Sequence, residues 1–218
     1  MEQAPDGIDA ALVAAAFADI GEHGWAGMSL VRAARAAGIA PEVARRRVSG
    51  RGALLLRFGA LADAHALRGA ATDGPERDRL FDIVMRRIDF LQEHRPGVVA
   101  LLRALPTDPL AATMLAAASL RSMAWLLEGA GIGAGGPAGG LRAAGLLAVW
   151  TWTVRAWQRD TSEDLSGTMA ALDAALGRAE RAAGWMASRG GVGSGAAAPA
   201  DDVSTAVVAQ QEDPEHGI

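Results

Sequence analysis

The chain contains no cysteine, no tyrosine and no lysine. Without cysteine, neither a disulfide nor a thiolate metal site can form. Every basic residue is arginine, and abundant Ala, Gly and Arg beside absent Lys points to genomic base composition rather than to function. The histidines, His23, His65, His94 and His216, are dispersed and none has metal-ligand spacing. There is no G-x-S-x-G nucleophile elbow and no phosphate-binding P-loop. Carboxylate pairs such as Asp78/Asp82 fall on polar helix faces, where solvation explains them. The sequence therefore predicts no enzyme, no cofactor and no metal. The largely apolar stretch Leu146 to Val154 is shorter than the roughly 20 residues a membrane span needs. Met1 to Asp9 is acidic rather than basic, unlike an export signal, so a cytoplasmic protein is expected. A net charge of −4 excludes a polycation that binds nucleic acid along its whole length.

Of the 218 residues, 50% are hydrophobic, enough for one domain or for a small domain fused to a larger one. The stretch from Met28 to Leu55 organises the chain. Ser29 is placed to cap a helix running through Ala37. Gly38 then supplies the left-handed position that ends a helix, Ile39 and Ala40 turn, and Pro41 opens a second helix. That second helix carries Arg45, Arg46 and Arg47 and is expected to end near Ser49-Gly50. Two short helices joined by a tight glycine turn, the second one basic, make a helix-turn-helix signal. From Arg32 to Arg68 there are eight arginines against only Glu42 and Asp63, a basic unit on an otherwise acidic chain. Three consecutive arginines fan over roughly 200° of a helix, so one or two would touch phosphate and at most one or two would reach base edges.

These residues resemble the N-terminal pattern of the TetR-type regulators, followed without a gap. The matching positions are Gly24-Trp25-Ala26-Gly27-Met28-Ser29-Leu30, Ala33-Ala34, Ala37-Gly38-Ile39, Arg51 and Leu54-Leu55. Arg45, Val48 and Arg51 stand where that family usually has Tyr, Phe and Lys. The resemblance implies an all-α fold: a three-helix helix-turn-helix head over 1–52 and a helical ligand-binding and dimerisation body over 53–188, about nine helices in all. It implies a homodimer through 141–185, operator DNA as partner, and a small apolar effector. Ser29, Pro41, Arg45, Arg46, Arg47 and Arg51 would then form the DNA-binding set.

The rest of the chain reads as helices in series. Asp9 is expected to cap a first helix to about Glu22, with Phe17 at the centre of a core against Leu30, Ala34 and Val43, and Gly21 and Gly24 ending it. Helices are expected over Gly52–Thr72, with His65 as a partly buried, hydrogen-bonded histidine, and over Pro75–His94, with Arg86 and Arg87 outward. A short helix over Gly97–Leu105 follows. Asp108-Pro109 should open another helix, to about Glu128, with Leu110, Met114, Leu115, Met123, Trp125 and Leu126 inward. Gly129–Gly140 reads as a flexible connection. Leu141–Gln158 is apolar nearly all round, so its Trp150, Trp152 and Trp157 belong to a core, a ligand cavity or an interface. Leu115, Trp125, Trp150 and Trp157 are the candidate ligand-binding residues. A last helix is expected to start at Asp160–Asp164, and residues 189–218 read as a disordered tail.

A second resemblance rests on Asp160-x-Ser162-x-Asp164 with Thr168 and Leu172, which look like the C-terminal pattern of the lipid-binding accessory proteins of ubiquinone biosynthesis. That family shares the TetR-type fold, and the resemblance implies isoprenoid-lipid binding and assistance to the demethoxyubiquinone hydroxylase, without DNA. Arg45 and Val48 favour this alternative, and the basic bias of the head favours the regulator.

Overall fold

Two short helices at right places would mean little without something to hold them, and here the holder is a long first helix. In the computed structural model, which describes residues 5–191, helix α1 spans Pro5–Gly27. It is followed by α2 (Leu30–Ala36), α3 (Pro41–Arg47), α4 (Arg51–Leu67), α5 (Glu76–Glu93) and α6 (Arg95–Ala104). A 3-10 turn (Leu105–Thr107) leads into α7 (Pro109–Gly129), α8 (Gly136–Arg159) and α9 (Ser166–Gly191). No strand occurs among the described residues, so the all-α expectation holds. Residues up to Arg181 pack as one unit, and a second unit begins at Ala182. The tail expected over 189–218 lies outside the described residues except for 189–191, which close α9.

α1 packs mainly on α6 and α2. The α1–α6 approach depends on glycine. A Cβ at Gly97 would sit 2.1 Å from the Phe17 carbonyl oxygen, and one at Gly21 would meet the Pro96 Cβ at 3.0 Å. Phe17 thus has Gly97 beneath it, and its ring stacks on Phe58 of α4 at 3.9 Å between centroids. Phe58, Phe90 and His94 continue the aromatic cluster, in which His94 is the residue that ends α5 and precedes α6. Burial among these rings lowers the His94 pKa. His65 is half-buried, as its position on the inner side of α4 predicted, but it lies against the Phe90 ring at 5.7 Å rather than in a side-chain hydrogen bond among the described residues.

The structure corrects several sequence expectations. Asp9 lies inside α1 rather than at its cap, and its side chain is buried. Gly21 does not end α1, whereas Gly24, with φ +73°, puts a kink in its last turns. α4 stops at Leu67 rather than Thr72. Arg87 points inward and is 5% exposed, whereas Leu110 and Trp125, expected inside, are 72% and 60% exposed. The reason is that α7 packs on α4 and α8 through a narrow seam of Met123, Leu126 and Leu127. Leu110 and Trp125 lie off that seam and stay largely in solvent. α7 is also, by length and composition alone, apolar enough to cross a membrane. The glycine-rich connection shrinks to 130–135, because Gly136–Gly140 form the first turns of α8. The last helix begins at Ser166, six residues later than Asp160, which instead ties the preceding turn. Its carboxylate accepts from Ser162 N–H (3.0 Å) and Ser162 Oγ (2.5 Å), and from Thr168 N–H (2.6 Å) and Thr168 Oγ1 (2.7 Å). These four bonds hold it well below the usual carboxylate pKa.

Candidate nucleic-acid interface

The helix-turn-helix forms as the residues dictate. Ser29 has extended backbone and its Oγ accepts the Arg32 N–H at 3.3 Å, capping α2. Gly38 takes φ +68°. Its N–H reaches Arg35 O at 3.1 Å, and the Ile39 N–H reaches Ala34 O at 2.8 Å. This is the paired closure that a left-handed residue after a helix provides. Pro41 stands in the first turn of α3, where its missing N–H costs nothing. Val48 ends α3 and is fully buried, so the position where TetR-type regulators usually carry Phe still faces the core, with a smaller side chain.

The charge of this head differs from its count. α1 contributes two buried carboxylates that the basic stretch lacks. Asp9 faces Arg47 at 3.1 Å and Arg57 at 3.2 Å. Asp19 accepts the Ser29 N–H and an Arg32 Nη2 N–H, both at 2.8 Å, and Arg32 Nε also donates to it. The Arg32 bonds lead in holding the Asp19 pKa below the usual carboxylate range. Arg45 folds back onto the Ser49 carbonyl. Arg51 donates to Ala26 O at 2.5 Å and lies over the Trp25 ring, 5.7 Å from its centroid. Trp25 in turn donates from Nε1 to Asp108 Oδ2 at 2.9 Å, joining the head to the start of α7. Arg46 is exposed and has no partner among the described residues, and Arg35 on α2 is exposed and likewise free. Of the DNA-binding set expected from sequence, Ser29 and Pro41 shape the backbone, Arg47 is half-buried on Asp9, Arg45 and Arg51 are exposed but bonded to backbone carbonyls, and Arg46 is exposed. Arg35, exposed on α2 one turn before Gly38, was not in that set, although its outward place was readable from the helical period.

The candidate ligand residues divide among three places. Leu115 and Trp150 share a cleft of about 370 Å³ between α6, α7 and α8, together with Leu102, Leu105 and Val154. Trp125 lines a different cleft, about 380 Å³, between α4 and α7, with Leu56, Ala60, Asp63 and Ser122. Trp157 lines neither; it is fully buried, with its Nε1 donating to Gln92 Oε1 at 2.8 Å and the Arg95 guanidinium 4.7 Å over its ring. Between the two clefts lies a buried ion pair that sequence reasoning did not foresee. Arg87 of α5 meets Asp63 of α4 at 3.1 Å and lies 4.5 Å over the Trp150 ring of α8. Ser122 of α7 donates to Asp63 at 2.5 Å. Burial raises the Asp63 pKa and lowers that of Arg87, so for both groups desolvation outweighs their mutual attraction. Among the described residues no cluster of His, Cys, Asp or Glu is arranged to hold a metal ion.

No protein-family model and no curated protein matches the chain. Solved structures do. A TetR-family transcriptional regulator from a Rhodococcus species aligns with TM-score 0.52 at 18% identity, covering 78% of this chain and 98% of that one. TetR-family regulators from Thermus thermophilus and Streptomyces coelicolor align with TM-scores 0.46 and 0.47 at 15% and 16% identity; the alignments cover 76% and 81% of this chain, and 96% and 99% of those chains. At such identities the first of these likenesses speaks for the fold alone: the chain has the TetR-type all-α fold.

Proposed function

We propose that the protein is a ligand-responsive transcriptional regulator that binds DNA through α2 and α3. The observation that carries this reading is a fully formed helix-turn-helix, capped at Ser29 and closed at Gly38, that holds Arg35, Arg45 and Arg46 at its surface. Phosphate and base-edge contacts need solvent-exposed guanidinium groups on a fixed scaffold, and α2 and α3 supply both. An effector in the body would act through its difference in affinity between two conformations. The chain would work as a homodimer through α8 and α9, whose 141–185 stretch leaves Leu141 and Trp152 more than half exposed. No reaction is assigned to it, and a cytoplasmic location goes with this reading.

The test is fluorescence anisotropy with the duplex upstream of the protein's own gene, at two salt concentrations, against a scrambled duplex. Arg35→Ala and Arg46→Ala should weaken binding and each reduce the salt dependence by about one phosphate contact. Arg47→Ala is the wrong probe for contact, since it strips a partner from buried Asp9. Binding no tighter than to the scrambled duplex would overturn the reading for that site.

A second reading has its own support. Arg47 and Arg51 are spent on the protein itself, and the Asp160-Ser162-Thr168 turn that carries the second resemblance is fully formed. In this reading the fold serves as a lipid-binding accessory protein of ubiquinone biosynthesis. Organic extraction of the purified protein should then release a bound isoprenoid lipid, and the anisotropy experiment should show no specific DNA binding.

A further inference from the structure

The cleft between α6, α7 and α8 is apolar within and polar at one end. Leu102, Leu115, Trp150 and Val154 supply its walls. Ser119, Arg155 and Gln158 also line it, and none of their side chains has a hydrogen-bond partner among the described residues. Arg155 and Gln158 are three residues apart on α8 and therefore neighbours on one helix face. No acidic side chain lines the cleft, so the Arg155 charge is not neutralised there. A volume of about 370 Å³ is at the small end of the range of small-molecule sites.

We infer that this cleft binds a small anionic amphiphile, a carboxylate on an apolar chain or ring, with the carboxylate at Arg155 and Gln158 and the apolar part against Leu115 and Trp150. Arg155 is exposed at the mouth of the cleft and Gln158 half-buried, so an apolar molecule alone would gain nothing from either, and a cation would be repelled. A carboxylate satisfies both groups with charge-assisted bonds, and Arg can grip it through two N–H groups at once. The inference deepens the regulator reading by naming the effector class, and it rests on that reading only for the consequence of binding.

The experiment is isothermal titration calorimetry on the full chain without DNA. The probes are sodium octanoate, octan-1-ol and octyltrimethylammonium, all of one chain length and below their aggregation limits. Octanoate should bind one site per chain, about 10- to 100-fold tighter than octan-1-ol, and the ammonium compound should not bind. Arg155→Gln should remove that preference while leaving octan-1-ol binding unchanged. Its circular dichroism should match the parent, because Arg155 holds no other group in place. Leu115→Trp, which fills the cleft, should abolish binding of both probes, and Arg159→Gln, outside the cleft, should change nothing. Equal affinity for octanoate and octan-1-ol, retention of the preference in Arg155→Gln, or no saturable octanoate binding would each overturn the inference. Because no DNA is present, failure here is separate from failure of the anisotropy experiment. If DNA binds and octanoate does not, the regulator stands and its effector is of another class.

Discussion

Trp25, at the kinked end of α1, donates its indole N–H to the carboxylate of Asp108, the residue that caps α7 eighty-three positions later. Asp108 does two jobs at once, since its other oxygen accepts the Ala111 N–H at 3.0 Å. Together these bonds hold its carboxyl below the usual pKa range, the Ala111 bond foremost. The entry to the helix-turn-helix and the start of a helix that walls the apolar cleft are thereby fixed to one side chain.

If that bond links head and body, Trp25→Phe and Asp108→Asn should not behave independently. Each should lower the melting temperature, and the double variant should lose less than the sum of the two. Thermal melts of the four proteins form the cycle. Strict additivity would show that the contact does not couple the two regions.

The Asp63–Arg87 pair predicts a pattern in which one change hurts and two do not. Asp63→Ala leaves the Arg87 charge buried and unpaired, which should cost about 3–5 kcal/mol in urea unfolding. Replacing both, Asp63→Leu with Arg87→Met, should recover most or all of the loss, because both pKa directions place desolvation above attraction. A double variant as unstable as the single one would show that the pair contributes net stability.

Asp19 predicts an acid sensitivity. Its folded pKa lies below the unfolded value of about 3.9, so its contribution is fully present above that value. The contribution is lost as pH falls through the folded pKa. Melting temperatures measured from pH 7 down to pH 3 should fall more steeply for the parent than for Asp19→Asn, which starts lower and has no carboxylate to titrate there. Parallel curves would rule out Asp19 as a source of the acid loss.

Two glycines separate space from propensity. Gly97→Ala drives a Cβ into the Phe17 carbonyl and should destabilise by about 1–3 kcal/mol or more, since backbone must move. Gly145→Ala, in the exposed middle of α8 with open space around it, should stabilise by up to about 1 kcal/mol. Chemical denaturation of both variants checks the contrast, and equal effects would deny that the α1–α6 approach needs a glycine.

The helix-turn-helix was legible because its signals are local: Ser29, Gly38 and Pro41 each dictate a backbone state within a few residues. The charge of the head was misread because it is not local. Counting bases from Arg32 to Arg68 omits Asp9 and Asp19, which come from another helix and offset two of the three charges on Arg47, Arg57 and Arg32. The facing of α7 was misread for a similar reason. Apolar residues on all its sides gave no indication which side would find a neighbour, and Trp125 and Leu110 were left outside. Arg87 looked like surface because arginine usually is, and its place inside depends on Asp63 and Trp150 from two other helices.

α4 starts at Arg51, the residue that lies over Trp25, and runs unbroken for 17 residues past Asp63. At 1.5 Å per residue it is a rod about 25 Å long, with the helix-turn-helix at one end and the buried ion pair toward the other. A rod of that length is a gear for small displacements. Turning it by about 5° at the body end sweeps its other end by ~2 Å, comparable to the helix shifts of 1–2 Å by which other proteins switch. A slight change in how the body packs would therefore be delivered to α2 and α3 enlarged rather than damped.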